Sequence, residues 1–363
     1  MRAVKTPPPA AVVAELLGPA ELGDEPRRLN RIDPRETLLA AVCAAGAAVL
    51  AWTLCRFLRW DGPLPLGLIG IIAFAGIYTA AVRDQLGDEA STDRTITLLI
   101  SLGAVIAGLP VIFMVGFLVV RGIGQLRPSF FTNDLAKSGP LDPRGGAKHA
   151  IIGSIEQVGL AAFVVVPLSV LTAIYLNELK GRVSRMVRFL VDAMSGVPSI
   201  VAGLLVYAVW VAAFGFSGFA ASLALIILML PTITRTSEEV LRTIPDNLRE
   251  ASLALGAPQW RTVLRVVLPT ARTGLVTAML LGVARGIGET APMIMTARGQ
   301  NGTNANPFKD QQSDLPLFIY NLLRQPDKRQ IARGYTGALV LLLVVLSLFT
   351  LARVAGRPRK RRS

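Results

Sequence analysis

Eight times along this chain an apolar run approaches or reaches the roughly 20 residues that cross about 30 Å of hydrocarbon as a helix. The runs lie near 37–57, 64–82, 96–120, 150–176, 189–213, 220–233, 270–295 and 336–351. Within lipid each backbone N–H and C=O must find its partner inside the segment, so each run is expected as an α-helix. The sixth is short and the second is rich in Gly and Pro. Composition agrees: 52% of the 363 residues are apolar and 17% charged, with a mean hydropathy of +0.52. The expected fold class is all-α, a polytopic transmembrane helix bundle.

The net charge of +14 comes from 38 basic against 24 acidic side chains. In a soluble chain that excess suggests nucleic acid, but no RNA or DNA module accompanies it here, and none is expected as a partner. Much of it flanks apolar runs instead. Arg353, Arg357, Arg359, Lys360, Arg361 and Arg362 read as a cytoplasmic anchor near anionic membrane lipid. The connector with Lys180, Arg182, Arg185 and Arg188 is placed on the same side. So is the segment 236–268 with Arg242, Arg249, Arg261 and Arg265. Arg56, Arg59, Arg324, Lys328 and Arg329 then fall outside, against the rule.

Cys43 and Cys55 share the first apolar run and supply neither a disulfide framework nor a zinc pattern. The single histidine, His149, stands at the mouth of a span and reads as an interface residue, so no metal site is expected. Residues 1–35 read as a partly ordered polar tail, and no cleavable signal peptide is expected in them. Two outer loops, 121–148 and 297–333, lack clear periodicity and read as surface for a partner outside the membrane.

The most informative stretch is 236–269, TSEEVLRTIPDNLREASLALGAPQWRTVLRVVLP. Pro245 and Asp246 break one helix and offer a cap for the next. Good helix formers run from Asn247 to Leu255. Gly256 supplies a permissive residue past the helix end, and Pro258 suits the start of another helix. Two short helices at a corner are expected, presenting Leu248, Ala251, Leu255 and Trp260 outside the bilayer. Such a knob suits a groove in a soluble partner; an interfacial helix lying on lipid is the alternative.

Glu250-Ala251-Ser252, three residues, Gly256, nine residues, Val266, one residue, Leu268-Pro269 resembles the loop motif of ABC importer permeases, with Ser252 and Val266 as mild departures. The resemblance implies that this loop docks on a nucleotide-binding subunit. The chain has no G-x-x-x-x-G-K-[ST] loop, so it is expected to be no enzyme and to bind no cofactor, with ATP and Mg²⁺ on a separate ATPase.

Further segments extend the resemblance. They are Gly145-Gly146, Ala150-Ile151, Gly153-Ser154, Pro167-Leu168 and Ala173-Ile174-Tyr175-Leu176-Asn177-Glu178, then the runs 195–204 (SGVPSIVAGL), 230–239 (LPTITRTSEE) and 284–292 (ARGIGETAP). Together they resemble the A-type permease subunit of the bacterial phosphate-specific ABC transporter over about 96–351. The resemblance implies a type I importer permease core. Two of the eight spans are then extra, leaving six for the core. The expected domains are a polar tail 1–35, an extra helix pair 36–95, a permease domain 96–352 with the coupling loop 236–269, and a basic tail 353–363. It also implies a bacterial inner-membrane location, and the C-terminus and the N-terminal tail are both expected in the cytoplasm. The implied partners are a second homologous permease, two ATPase subunits and an extracytoplasmic phosphate-binding protein.

Arg285 and Glu289 stand four apart in the seventh run and share one helical face. Each costs about 2.5–3.5 kcal/mol at the bilayer centre on insertion scales, so each is expected to face protein or a watery path. Arg offers a planar fork of donors suited to phosphate oxygens. The resemblance associates Arg235 and Arg285 with transport and puts Glu289 in the same motif, giving a substrate path of Arg235, Arg285 and Glu289. The loop residues Glu250, Ala251, Ser252, Gly256, Leu268 and Pro269 form the coupling set. A structural ion pair is the alternative for Arg285 and Glu289. Glu156 reads as a bundle-facing structural residue and Asp192 as an anchor; Gly196, Pro198 and Gly203 read as packing and kink positions. Import of sulfate or molybdate, or ATP-independent ion-coupled transport, are the alternative functions.

Overall fold

A computed structural model describes residues 34–355 except 61, 140, 141, 143 and 180. Most of the expected polar tail, the basic cluster beyond Ala355, and Lys180 lie outside the described residues. Contacts divide the chain into two compact units, Met1–Val111 and Ile112–Ser363. Among the described residues every regular element is helical, with a single isolated bridge between Arg298 and Gln312.

In the first unit, α1 (Pro34–Leu58) precedes α2 (Pro63–Gly122), whose last turns belong to the second unit. Although helical throughout, α2 carries two apolar stretches, Pro65–Asp84 and Thr92–Gln125. The Thr95 hydroxyl lies 3.5 Å from that of Thr79. A straight helix would hold residues 16 apart at about 24 Å, so α2 doubles back between them. The two arms and α1 form antiparallel neighbours with small residues at their contacts, such as Gly70 against Ala51.

The second unit is built on α4 (Lys148–Glu178), α7 (Gly218–Arg242), α10 (Leu268–Ile287) and α13 (Lys328–Ala355), with the short α3 (Pro128–Thr132) near the start. Val158, Ala161 and Val165 of α4 pack on Ala221, Leu225, Met229 and Ile233 of α7 to make the central core. Two buried hydroxyls cross the same interface: Ser222 donates to the Gln157 carbonyl at 2.9 Å and Ser169 to that of Leu230 at 3.2 Å. Lipid chains are as apolar as these side chains, so close packing and such bonds hold the helices together.

Three expectations need correction. The run 189–213 is not one straight span. It is α5 (Arg182–Ser195) followed by α6 (Ser199–Val206), which continues through a wide turn to Phe214, and the two halves bend by 103°. Gly196 and Pro198 stand at the break, where Pro198 has no N–H to continue the ladder. Charged Arg182, Arg185, Arg188 and Asp192 make α5 amphipathic. The run 270–295 also stops early: α10 ends at Ile287, Gly288 closes it, and α11 (Ala291–Thr296) starts afresh. The loop 297–333, expected without periodicity, contains α12 (Leu315–Leu323). Its Asp314 accepts from the Leu317 amide at 2.9 Å as the N-cap, and Leu315, Leu317, Phe318 and Leu322 are buried.

Candidate functional site

The loop between α7 and α10 forms α8 (Asp246–Ala254) and the single-turn α9 (Gln259–Thr262), which runs on through a wide turn into α10. Gly256 joins them at φ +79°, a left-handed conformation that costs other L-residues about 1–2 kcal/mol. Asp246 is the first residue of α8 and makes no cap bond; its carboxylate accepts from Arg249 at 2.9 Å instead. Ser252 and Thr262 share a hydroxyl bond of 2.9 Å that closes the corner. Glu250 and Ala251 are exposed, as are Gly256 and Pro269; Leu268 is half-buried at the start of α10. Leu255 is 89% exposed and Trp260 60%. The corner is an apolar knob held out from the bundle.

Arg249, to which the motif reading assigned no role, fixes that knob. Its guanidinium donates to Glu178 at 3.3 Å, to Asp246, and to the carbonyls of Leu241 at 3.1 Å and Ile244 at 3.0 Å. The first of these carbonyls is in the last turn of α7 and the second just past it, where intrahelical donors run out, so one side chain caps that helix end and ties α8 to the end of α4. Gln259 adds a bond to the Glu178 carbonyl at 3.3 Å.

One turn further into the bundle, Glu238 is 1% exposed and accepts from three arginines. Arg188 lies at 2.6 Å, Arg242 at 2.8 Å and Arg235 at 3.4 Å. Arg235 also pairs with Asp192. The network clamps α5, the half-span before the break, to the end of α7. Arg235 is therefore engaged by two carboxylates, and Asp192 is its partner. The spacing of Glu238 from Arg235 and Arg242 is visible in the sequence as i,i+3 and i,i+4 pairs, whereas its bond to Arg188 spans 50 residues.

Where α7 and α10 cross, Gly282 faces Ile233 and Gly286 faces Met229 with no room for a Cβ. That approach brings Arg285 to Thr232, whose hydroxyl accepts from its Nη1 at 3.5 Å. Glu289, in the break after α10, is 3.9 Å from the Arg285 Nε. Arg285 remains 62% exposed, and among the described residues most of its donors have no acceptor. Thr232 and Arg235 are three apart on α7, so the structure brings Arg285, Glu289 and the helix face bearing Arg235 to one region. Gly203 of α6 lies against the Pro292 Cα, which a Cβ would meet at 2.7 Å.

At the far end from the loop, Gln312 is 1% exposed and reaches into the bundle. It donates to Glu156 and to the Asn304 carbonyl, and accepts from Gln157 at 3.1 Å. Glu156 thus has a structural partner. His149 is buried against Phe318, with ring centroids 5.5 Å apart.

A helix bundle with an interrupted span and a rigidly held exposed corner has the architecture of multi-pass transport permeases. Residues 165–360 match the family of binding-protein-dependent transport system inner membrane components, and the chain belongs to that family. It is 42% identical over 248 residues to the phosphate transport system permease protein PstA 1 of Mycobacterium tuberculosis, covering 67% of this chain and 82% of the relative. With PstA of Mycobacterium leprae the identity is 41% over 244 residues, 66% of this chain and 80% of that one. A solved bacterial ABC transporter involved in the import of alginate shares the fold. Its TM-score is 0.51 at 17% identity, over 73% of this chain and 98% of that one. The chain is a transport subunit and a multi-pass inner membrane protein.

Proposed function

We propose that this chain is the transmembrane permease subunit of an ATP-driven inorganic phosphate importer. The observation that carries the cargo assignment is Arg285: an exposed guanidinium set among membrane spans, held at one edge by Thr232 and approached by Glu289. An uncommitted arginine in that position costs several kcal/mol unless water or an anion reaches it. Its fork matches phosphate oxygens. Glu289 orients the fork and, as a nearby negative charge, keeps a passing anion from binding too tightly. Arg235, already neutralised by Asp192 and Glu238, contributes field and framework to the path. The relatives at 41–42% identity, which carry phosphate transport in their names, support the same cargo.

Residues 96–352 act as the permease domain and 36–95 as an added helix pair. The corner Glu250–Gly256, with Leu255 as its knob, docks on a nucleotide-binding subunit; ATP and Mg²⁺ belong to two such ATPase subunits. A second homologous permease completes the path, and an extracytoplasmic phosphate-binding protein delivers cargo to the opposite face. The loop and the C-terminus lie in the cytoplasm. Rotation of an ATPase groove moves the knob, and the Arg249–Glu178 tie carries that motion to α4 while Glu238 carries it to α5 and the interrupted span.

The test is phosphate uptake into vesicles reconstituted with the assembly, comparing Arg285→Gln and Arg285→Lys with the unaltered chain. Uptake should fall at least tenfold, about 1.4 kcal/mol, in the Gln variant while the assembly stays intact. Undiminished uptake would remove Arg285 from the path. Competition by sulfate or molybdate at equal concentration separates phosphate from the other oxyanions.

A further inference from the structure

Beside the knob, a cavity of about 620 Å³ opens between the end of α4, the start of α5 and the end of α7, with Ser184, Arg185, Arg188, Arg242 and Arg249 in its lining. Arginines converge on it from three elements, yet their donors are unequally committed. Arg249 commits four of its five donors to Glu178, Asp246 and two carbonyls, and serves as wall. Arg188 gives Nη2 to Glu238 and to the Leu176 carbonyl; its Nε is buried with no acceptor. Arg242 gives Nη2 to Glu238 and has no other acceptor among the described residues. Arg185 is exposed and has no acceptor among the described residues.

The carboxylates nearby do not satisfy these donors. Glu178 and Asp246 are engaged by Arg249, and Glu238 sits beneath Arg188 and Arg242. Four arginines against three carboxylates leave one formal positive charge in excess. A planar carboxylate engages one fork well; a tetrahedral oxyanion offers acceptors in several directions and can bridge forks from two helices.

We infer that this cleft binds a phosphate-class anion, either a free phosphate ion or the headgroup of an acidic phospholipid, through Arg185, Arg242 and Arg188. It is distinct from the path at Arg285 and stands whether or not the transported cargo is phosphate. Because Arg249 forms one wall and also fixes α8, an occupied cleft braces the coupling corner against α5. Occupancy thereby regulates how readily the corner moves.

The experiment follows phenylglyoxal modification of individual arginines by mass spectrometry, on the full chain in dodecyl maltoside, a detergent without phosphate. One arm adds inorganic phosphate, one adds phosphatidylglycerol to the micelles, and a third adds sodium chloride at matched ionic strength. Protection follows the free-site fraction, so a ligand at ten times its Kd should slow modification of Arg185 and Arg242 about tenfold. Protection by phosphate identifies the free ion as a ligand, and protection by phosphatidylglycerol alone identifies the headgroup. Arg185→Gln, an exposed change with little effect on folding, should remove the protection of Arg242, while Arg285→Gln should leave it intact. The inference is overturned if neither additive protects beyond chloride, if Arg185→Gln leaves Arg242 equally protected, or if Arg285→Gln abolishes the effect.

Discussion

Arg249 donates to Glu178 across 3.3 Å and 71 residues of sequence, and through that bond the exposed corner of the chain becomes an extension of α4. Both side chains are largely buried, so neither charge is well hydrated without the other. The tie fixes the loop to the end of a membrane span, so that under the proposed coupling role a displacement at Leu255 would be carried to α4.

Arg249→Ala is expected to leave the Glu178 carboxylate without its cation, with the Asn177 amide still donating to it at 3.0 Å, and to uncap the end of α7. Removing one partner of a largely buried pair costs on the order of 3 kcal/mol. The loss should be local, because the knob packs on little else. Hydrogen exchange should speed up across 246–262 while the α4–α7 core keeps its protection. Uniform loosening of the whole bundle would contradict a local tether. Arg249→Lys, which keeps the charge but loses the fork, should fall between the two.

Glu238 should be the more damaging position. Replacing it with Gln leaves Arg188, Arg235 and Arg242 around a neutral amide: its one oxygen can still accept from Arg188 and Arg242, but the charge that offsets them is gone and its NH2 group faces Arg235 in place of an acceptor. A destabilisation of about 3–5 kcal/mol is expected, read as a lowered midpoint in thermal melts of the detergent-solubilised protein. A double-mutant cycle with Arg188→Gln should show coupling of about 0.5–3 kcal/mol, since the two residues share one network. Additive effects would mean that the clamp between α5 and α7 is made elsewhere.

The spans were legible because lipid imposes a length and an apolar content that can be counted residue by residue. The interrupted span was harder to read: window length joined α5 to α6, although Gly196 and Pro198 marked the break. Nor was α12 visible as a helix, because its apolar residues are buried in protein, where no minimum length applies; the cue was Asp314 followed by Pro316 in the first turn. The corner around Gly256 is legible as two short helices because Pro245, Gly256 and Pro258 are local signals. Its anchoring to Glu178 is not, since nothing in the chain announces which distant carboxylate an arginine will find.

Gly256 offers a way to distort the corner without touching any side chain. A Cβ added there meets nothing within 4 Å, so Gly256→Ala carries only the backbone strain of φ +79°, about 1–2 kcal/mol. Relief of that strain would turn Leu255 away from its present direction. Phosphate uptake per ATP hydrolysed by the reconstituted assembly should fall, with bundle stability almost unchanged. Gly256→Asn, which tolerates the left-handed region, should restore much of the coupling. Equal coupling in all three proteins would show that the corner's geometry is set by something other than this residue.

Asp314 makes the outer helix α12 sensitive to pH. Burial pushes its carboxyl up from 3.8 to about 7, partly offset by the Leu317 amide that it caps. With the folded value above the unfolded one, the native chain holds this proton more tightly. The stabilisation from Asp314 is therefore complete below about 3.8 and disappears as the pH rises through about 7. Between those limits the slope reaches about 1.4 kcal/mol per pH unit. Asp314→Asn keeps a capping oxygen and removes the titration. Thermal melts at pH 5 and pH 7.5 should find the Asn variant gaining on the unaltered chain at the higher pH, because only the latter must then bury a charge. Parallel pH profiles for the two proteins would show that the Asp314 carboxylate is solvated, and that α12 is held by the burial of Leu315, Phe318 and Leu322 alone.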